Sequence, residues 1–291
     1  KHAGDEVEIT ILAEGPRLAY DRVHLTEYFS GKSAKDLTLC RSDFADAYGI
    51  DLRLNTKATE VDTLNKTITT NHGDVIGYDK LVLATGSYAF VPPIPGNERE
   101  NCFVYRTIED LDAIRAASLN AKTGVVIGGG LLGLEAAKAL RDLNLETHVV
   151  EFAPRLMAVQ IDDLGGKVLR AKIENLGVKV HTQKATQCIE AGSNTTHVMK
   201  FGDGSELETD IVLFSAGIRP RDELARQSGL AIGERGGIVI NDYCQTSNTD
   251  IYAIGECALW QNKIYGLVAP GYDMARIAAK HVMDQSCNEF V

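Results

Sequence analysis

The sequence has no basic block, no long apolar run and no targeting segment. Its 291 residues carry 30 lysines and arginines against 40 aspartates and glutamates, a formal net charge of −10. An acidic chain without a cluster of cations suits neither nucleic acid nor an anionic membrane surface. No apolar stretch approaches the roughly 20 residues that span a bilayer, and the first residues do not resemble a signal peptide. These absences predict a cytoplasmic protein that binds neither nucleic acid nor membranes.

Paired cysteines are absent as well. The six cysteines are scattered, with no C-x-x-C pair, at positions 40, 102, 188, 244, 257 and 287. This spacing argues against zinc, against an iron–sulfur cluster within the chain and against a redox-active disulfide. The seven histidines form no metal-ligand or Ser/His/Asp pattern. We therefore expect reduced cysteines and no metal site.

The sequence does contain a complete dinucleotide-binding pattern at 123–151. A short apolar run at 125–127 leads into G-x-G-x-x-G at 128–133, and apolar residues then recur at helical spacing over 131–143. The first glycine makes a tight turn, the second lets a pyrophosphate approach the backbone, and the third lets the helix pack on the strand. The N–H groups at the helix start are suited to hold the diphosphate.

An acid closes the second strand of this pattern. Glu151 follows the last glycine by 18 residues, close to the roughly 20 expected for a carboxylate that binds the adenosine ribose. Because strand, glycines, helix, strand and acid come in order, a nucleotide site is favoured over a glycine turn made for steric reasons alone. The predicted cofactor-binding residues here are Gly128, Gly130, Leu131, Leu132, Gly133 and Glu151.

A strand that ends in a small-residue turn occurs twice. The sequence L-V-L-A-T-G at 81–86 aligns with V-L-F-S-A-G at 212–217. This internal repeat predicts two domains of one architecture, the second inserted into the first. Small residues at such a turn let the backbone approach a ligand, so Ala84, Thr85, Gly86 and Gly217 are candidate cofactor-binding residues.

The start and the end of the chain point to a second dinucleotide. A strand at 7–12 is followed by Glu14, like the second strand of a Rossmann unit whose first strand and glycine turn are missing. Near the end, a strand from residue 250 closes on Gly255-Glu256. The fold class is therefore α/β, with two Rossmann-like domains. We expect a nucleotide domain at 105–236, inserted into a discontinuous, N-terminally truncated domain at 1–104 and 237–291.

Four helices and an antiparallel set complete the prediction. The helices are expected at 42–48, 107–117, 162–175 and 272–283. Short strands are expected at 178–181, 187–191, 197–201 and 206–209, with a hairpin signal in Gly202-Asp203-Gly204.

Three of the motifs named above lie in Y-D-K-L-V-L-A-T-G, G-G-G-L-L-G-L-E and D-I-Y-A-I-G-E-C-A. With these motifs the chain resembles the two-dinucleotide-binding-domain flavoprotein reductases. More narrowly, the chain is similar to the flavin module at the N-terminus of the large subunit of NAD(P)H-dependent nitrite reductases. The stretches that carry this similarity are A-Y-D-R-V-H-L-T, C-F-V-Y-R-T-I-E-D-L-D-A-I, L-E-T-H-V-V-E-F-A-P-R-L-M and G-I-V-I-N-D-Y-C-Q-T-S-N-T-D-I-Y-A-I-G-E-C-A.

The resemblance implies FAD in the outer domain and NAD(P)H in the inserted one. It implies that Glu14 meets the adenosine ribose of FAD and that Arg22 lies over the FAD pyrophosphate. Ala84, Thr85 and Gly86 would approach the flavin, Gly255 and Glu256 the ribitol and phosphate, and Pro270 and Gly271 the isoalloxazine. Glu135 would lie where nicotinamide and flavin meet; the alternative is a solvated helix residue.

Three departures from the family pattern follow from the same comparison. The family's first G-x-G-x-x-G motif is absent, so we expect this chain to bind FAD poorly. Glu256 replaces the usual aspartate, a change that fits the nitrite reductase branch. Glu27 replaces a lysine found in many relatives, which argues against an ion pair with Glu135 that tunes the flavin.

The function implied by the resemblance is hydride transfer from NADH to FAD. Electrons then pass to an iron–sulfur cluster and siroheme outside this chain, where nitrite becomes ammonia. One alternative is a stand-alone reductase that feeds rubredoxin or ferredoxin, and another is a non-catalytic nucleotide-sensing module. The expected partners are NADH and an electron-acceptor domain or small redox protein, and a homodimer is left open.

The last expectation is a preference for NADH over NADPH. The carboxylate of Glu151 can accept hydrogen bonds from the ribose hydroxyls, whereas a 2′-phosphate would bring like charges together. Arg155 is a complication, because an arginine near this position can accommodate the phosphate. The alternative is that Glu151 only caps the strand and selects no coenzyme.

Overall fold

The computed structural model describes residues 7–290. The first six residues, with which the predicted outer domain begins, and Val291 lie outside the described part. The strands are β1 (Ile9–Leu12), β2 (Ile50–Arg53), β3 (Ala58–Asp62), β4 (Thr67–Thr70), β5 (Val75–Gly77), β6 (Leu81–Leu83), β7 (Ser87–Ala89), β8 (Cys102–Val104), β9 (Thr123–Ile127), β10 (Glu146–Val150), β11 (Val178–His181), β12 (Thr186–Ala191), β13 (His197–Phe201), β14 (Glu206–Thr209), β15 (Ile211–Phe214), β16 (Ile218–Pro220), β17 (Ile238–Ile240), β18 (Ile251–Ala253) and β19 (Ala258–Trp260).

In the described part of the chain, six α-helices and two 3-10 helices connect these strands. The α-helices are α1 (Phe44–Tyr48), α2 (Ile108–Ser118), α3 (Leu131–Asp142), α4 (Asp163–Asn175), α5 (Glu223–Gln227) and α6 (Val268–Val282); the 3-10 helices are Leu25–Tyr28 and Gly255–Cys257. In the described part of the chain, no helix is long and apolar enough to cross a membrane.

The chain divides into two compact units. The first unit is made from the described parts of Lys1–Tyr20, Thr38–Tyr88 and Arg219–Val291, and the second from Asp21–Leu37 and Ala89–Ile218. A discontinuous unit therefore encloses a second unit along the sequence. The assignment of FAD and NADH to these units stays a prediction.

The boundaries of the units differ from the predicted ranges in three segments. Residues 89–104 belong to the second unit, where β8 pairs with β15. Residues 21–37 also belong to it, because Tyr28 donates a hydrogen bond to Asp112 of α2. Residues 219–236 belong to the first unit, in which α5 lies against β3.

A five-stranded parallel sheet forms the centre of the second unit. The strand order is β11-β10-β9-β15-β8, the order of a Rossmann-type sheet in which β9 lies between β10 and β15. Val125, Val126 and Val149 are fully buried in it, as expected for parallel strands with both faces covered. Three of the four strands predicted as an antiparallel set form one in this unit, β12-β13-β14. The prediction is wrong for 178–181, because this segment is β11 and pairs parallel with β10.

The described part of the first unit contains three separate parallel pairs. Strand β1 pairs with β2, β6 with β18, and β17 with β19. The first two match the β10–β11 and β15–β8 pairs of the second unit, because Glu14 follows β1 as Glu151 follows β10. Among residues 7–290, no strand occupies the position that β9 holds in the second unit. Accordingly, Ile9 is 43% exposed and Val82 is 44% exposed, unlike the buried valines of the complete sheet.

Two predicted helix starts are wrong. The first helix begins at Phe44 instead of residue 42, and the last begins at Val268 instead of residue 272. Pro270 lies in the first turn of the last helix, where backbone N–H groups have no partner within the helix, so the proline is compatible with the earlier start. The three-residue strands β5, β7, β8, β16 and β19 were not predicted, since so short a run shows no periodicity.

Candidate functional site

The glycine turn of the second unit joins β9 to α3. Gly128 has φ +117, in the region that favours glycine, and its N–H donates to the carbonyl of Val150 at 2.8 Å. A Cβ on Gly128 would lie 2.2 Å from the carbonyl oxygen of Ser215, and one on Gly133 would lie 1.9 Å from that of Gly128. Side chains are therefore excluded at both positions, and the helix sits directly on the turn.

Gly130 faces open space. It is the N-cap of α3, and no side chain caps this helix end. A Cβ built on Gly130 meets no atom within 4 Å. The next two residues, Leu131 and Leu132, are 52% and 43% exposed. Because the first-turn N–H groups lack intrahelical acceptors, this end of α3 suits a phosphate group.

Glu151 lies beside the same turn. One carboxylate oxygen, Oε2, accepts from the N–H of Gly129 at 2.6 Å, and the other, Oε1, accepts from the N–H of Ala153 at 2.6 Å. The loop after it packs against the turn, since Leu156 is fully buried and Met157 donates its N–H to the carbonyl of Gly129. A fixed carboxylate next to an open helix start fits the ribose and diphosphate of a dinucleotide.

Gly217 follows β15, the neighbour of β9. It has φ +109, and its carbonyl accepts from the N–H of Phe90 at 2.8 Å. The glycine is exposed, so its backbone is open to a ligand from the carboxyl edge of the sheet.

Glu135 is half-buried on α3. Burial raises the pKa of its carboxyl group, and the charge of His24 opposes that shift. His24 is held by Asp21, with 2.7 Å between Nδ1 and Oδ2, and this hydrogen bond raises the pKa of His24. The predicted cofactor residue Arg22 is exposed in the same segment.

Aromatic contacts hold that segment in the second unit. The guanidinium of Arg115 lies 4.3 Å from the ring centroid of Tyr28 and donates to the Tyr28 carbonyl at 2.6 Å. The hydroxyl of Tyr28 donates to Asp112. The segment 21–37 therefore packs on the helices of the second unit, although the prediction placed Arg22 with the FAD domain.

The predicted turns of the first unit come together at one edge. Strands β6 and β18 run parallel with Leu83 opposite Ala253, so the 84–86 turn and the Gly255-Glu256 turn lie side by side. Ser87 donates to Glu256 at 2.7 Å. A Cβ on Gly271, next to Pro270 in the first turn of α6, would lie 3.6 Å from the Cα of Gly255.

Glu14 contacts Arg221, whose backbone is hydrogen-bonded to the turn at 84–86. Its carboxylate lies 2.6 Å from Nη1 of Arg221 and 3.0 Å from Nζ of Lys57. The backbone of Arg221 donates to the carbonyl of Gly86 at 2.9 Å and accepts from the hydroxyl of Thr85 at 2.6 Å. Burial opposes ionisation of Glu14, but the hydrogen bonds from the two cations prevail and lower its pKa.

The sequence analysis did not identify Lys57, Ser87 or Arg221. Ser87 adjoins the predicted turn, and Arg221 follows the repeated strand-turn at 212–217, which was the available signal. Nothing in the local sequence marks Lys57. The roles of the predicted site residues stay predictions.

The family comparison covers almost the whole chain. The model of the pyridine nucleotide-disulphide oxidoreductase family matches residues 1–281. The nitrite reductase (NADH) large subunit of Escherichia coli is 54% identical over 277 residues, which are 95% of this chain and 33% of that protein. The nitrite reductase [NAD(P)H] large subunit of Klebsiella oxytoca is 58% identical over 270 residues, 93% of this chain and 28% of that protein. The chain thus spans about a third of the length of these relatives.

A shorter relative and a solved structure agree with this match. The rubredoxin-NAD(+) reductase of Alcanivorax borkumensis is 31% identical over 277 residues, 94% of this chain and 72% of that protein. A ferredoxin reductase from Rhodopseudomonas palustris superposes with a TM-score of 0.92 at 26% identity, over 99% of this chain and 72% of that one. The chain belongs to the pyridine nucleotide-disulphide oxidoreductase family.

Proposed function

We propose that this chain oxidises NADH and reduces FAD. The observation that carries the proposal is the fixed carboxylate of Glu151 beside the open N-terminus of α3. The carboxylate accepts hydrogen bonds from ribose hydroxyls, and the N–H groups at the start of α3 donate to a diphosphate. Together they suit the adenosine half of a pyridine nucleotide. The second unit is then the NADH domain.

The first unit supplies the groups for FAD. Glu14 takes the adenosine ribose, and the turns at 84–86 and 255–256 take the flavin side, with Pro270 and Gly271 at the start of α6. The hydrogen bonds among Glu14, Arg221, Thr85, Ser87 and Glu256 support this assignment, because they hold these groups in place before a ligand arrives.

The bound cofactors supply the chemistry, a hydride transfer from nicotinamide C4 to flavin N5. The chain's residues orient the two cofactors and need provide no nucleophile. Glu135 is the candidate for positioning the nicotinamide. Glu135 is half-buried, and burial raises the pKa of its carboxyl group, which distinguishes it from a fully solvated helix residue.

The electrons leave for an acceptor outside this chain. In the proposed whole protein they pass to an iron–sulfur cluster and siroheme, which reduce nitrite to ammonia. The identities of 54% and 58% to nitrite reductase large subunits support this destination. The six cysteines are free, which supports a reducing compartment, the cytoplasm. The proposal also includes a homodimer.

A second candidate is a reductase that passes electrons to rubredoxin or ferredoxin. The 72% coverage of the Alcanivorax rubredoxin-NAD(+) reductase supports it. The gene decides between the two: cluster and siroheme ligands encoded after this chain favour nitrite reduction, and their absence favours the small redox protein.

One experiment tests the shared step and a nucleotide-sensing role. The purified chain is supplied with excess FAD under anaerobic conditions, and NADH is added while the visible absorption of oxidised flavin is followed. Loss of that absorption supports the proposal. Binding of both FAD and NADH without any loss would indicate a sensing module, and no binding of NADH would refute the site.

A further inference from the structure

Arg155 lies four residues after Glu151, in the loop that joins β10 to α4. Its Nε donates to the carbonyl of Ile161 at 3.0 Å and its Nη2 to that of Ala158 at 3.1 Å. Its Nη1 lies 2.7 Å from the carboxylate of Asp163. All three nitrogens of the guanidinium are therefore engaged within the loop and the start of α4.

The stem of this arginine is fixed as well. A Cβ on Gly166 of α4 would lie 2.9 Å from Cδ of Arg155, so the side chain lies flat on a position that only glycine leaves free. The next residue, Leu156, is fully buried, and a Cβ on Gly129 would lie 2.6 Å from its Cδ2. Arg155 thus packs on α4, while its neighbour anchors the loop to the glycine turn.

Asp163 is the exposed member of this cluster. Its side chain is 84% exposed, against 28% for Arg155. The preceding Asp162 has a different task, since its Oδ1 accepts from the N–H of Gly165 and caps α4 at 2.8 Å. Asp162 therefore caps the helix, and Asp163 makes the contact with Arg155.

We propose that Asp163, with the carbonyls of Ala158 and Ile161, holds Arg155 away from the 2′ position of the bound ribose, and that Asp163 is a specificity-determining positioning residue. The inference rests on the proposed NADH site. A 2′-phosphate needs a cation, and a guanidinium is the side chain best shaped to bind it. With Arg155 engaged elsewhere, its guanidinium does not offset the charge of Glu151, and the carboxylate rejects the phosphate.

The contact with Asp163 can be removed without disturbing the ribose site. An exposed ion pair is individually weak, so its loss lets the guanidinium sample other positions while the fold persists. Asp162→Asn is the matched control, because it removes an equal charge one residue away and asparagine caps a helix as well as aspartate.

The test is calorimetric titration of the chain with ADP-ribose and with 2′-phospho-ADP-ribose. We expect Asp163→Ala to strengthen binding of the 2′-phosphorylated ligand about threefold, equal to about 0.7 kcal/mol, and to leave ADP-ribose binding unchanged. Asp162→Asn should leave both affinities unchanged. Arg155→Ala added to Asp163→Ala should abolish the gain.

The outcomes separate the two proposals. If Asp163→Ala changes both ligands alike, or its gain persists without Arg155, the role of Asp163 is refuted while the site stands. If the unaltered chain binds neither ligand, the NADH site is refuted and the inference with it.

Discussion

The carboxylate of Glu151 accepts the N–H of Gly129 at 2.6 Å, across 22 residues of sequence. The acid that ends β10 is thereby fixed at the turn that begins α3. Because the second carboxylate oxygen is held by Ala153, the group has little freedom to rotate. A ribose that binds here meets an acceptor already in place.

Loss of this carboxylate should change coenzyme preference. We expect Glu151→Ala to lower kcat/KM for NADH about tenfold, the effect of one or two hydrogen bonds to a charged acceptor. The value for NADPH should fall less, because the repulsion of the 2′-phosphate is also lost. The measurement is steady-state kinetics with both coenzymes in excess FAD.

Glu146→Ala is the matched control for that substitution. Glu146 begins the same strand, and its carboxylate contacts Lys179 and His148 instead of the glycine turn. It should leave the NADH/NADPH ratio unchanged. A ratio in Glu151→Ala equal to that of the unaltered chain would show that Glu151 selects no coenzyme.

Two alanine substitutions in the glycine turn should behave differently. Gly128→Ala should destabilise the fold by at least about 2 kcal/mol, because φ is positive and the Cβ meets the backbone of Ser215 at 2.2 Å. Gly130→Ala should leave unfolding nearly unchanged, since its Cβ meets open space, but it should weaken ADP-ribose binding by filling the path of the diphosphate. Denaturant unfolding and calorimetry measure the two effects, and equal loss of stability in both variants would contradict the assignment.

Glu135 should affect the rate of flavin reduction more than the stability. Burial raises the pKa of its carboxyl group, which means that the charged carboxylate is destabilised in the fold. Glu135→Gln removes that charge and should not lower the free energy of unfolding. We expect the rate constant for flavin reduction by NADH to fall about tenfold if the carboxyl positions the nicotinamide. The exposed Glu174→Gln on α4 is the control, and an unchanged rate in Glu135→Gln would indicate a helix residue without a role in positioning.

A pair of histidines should make the second unit sensitive to acid. Nδ1 of His148 lies 3.0 Å from Nε2 of His181, a spacing that requires one of the two nitrogens to be unprotonated. Burial lowers the pKa of both below the ordinary value of 6.5. The unfolded chain therefore takes up protons first, so the stabilisation is complete above pH 6.5 and declines as the pH falls below it.

Unfolding by urea at about pH 7.5 and about pH 5.5 measures this decline. The free energy of unfolding should be lower at the acidic pH, and His148→Gln together with His181→Gln should make the difference smaller. His72→Gln is the control, because that histidine is exposed, lies in the first unit and contacts the carbonyl of Asn55. An acid-induced loss that is unchanged in the double variant would contradict the prediction.

The nucleotide unit could be predicted from sequence because its determinants are local. The turn at 128–133, the flanking strands and the acid at 151 lie within 29 residues. Helix α2 is equally local, since Thr107 and Asp110 form a reciprocal capping box at its start. Each of these features places its partners a few residues apart or in one β-α-β unit.

The rest of the candidate site depends on distant pairs. Glu14 and Arg221 are 207 residues apart, and Thr85 and Arg221 are 136 apart. Such contacts follow from strand order in the folded unit and leave no pattern in the sequence around either residue. The packing of 21–37 in the second unit was missed for the same reason, because Tyr28 and Arg115 are 87 residues apart.

Anaerobic titration of the chain and FAD with NADH tests the central claim most directly. The account predicts that one equivalent of NADH removes the visible absorption of one equivalent of flavin, and that ADP-ribose present in excess slows this reaction by competing at the glycine turn. At an FAD concentration that saturates the chain, flavin that stays oxidised while NADH binds would contradict the claim that this chain transfers hydride from NADH to FAD.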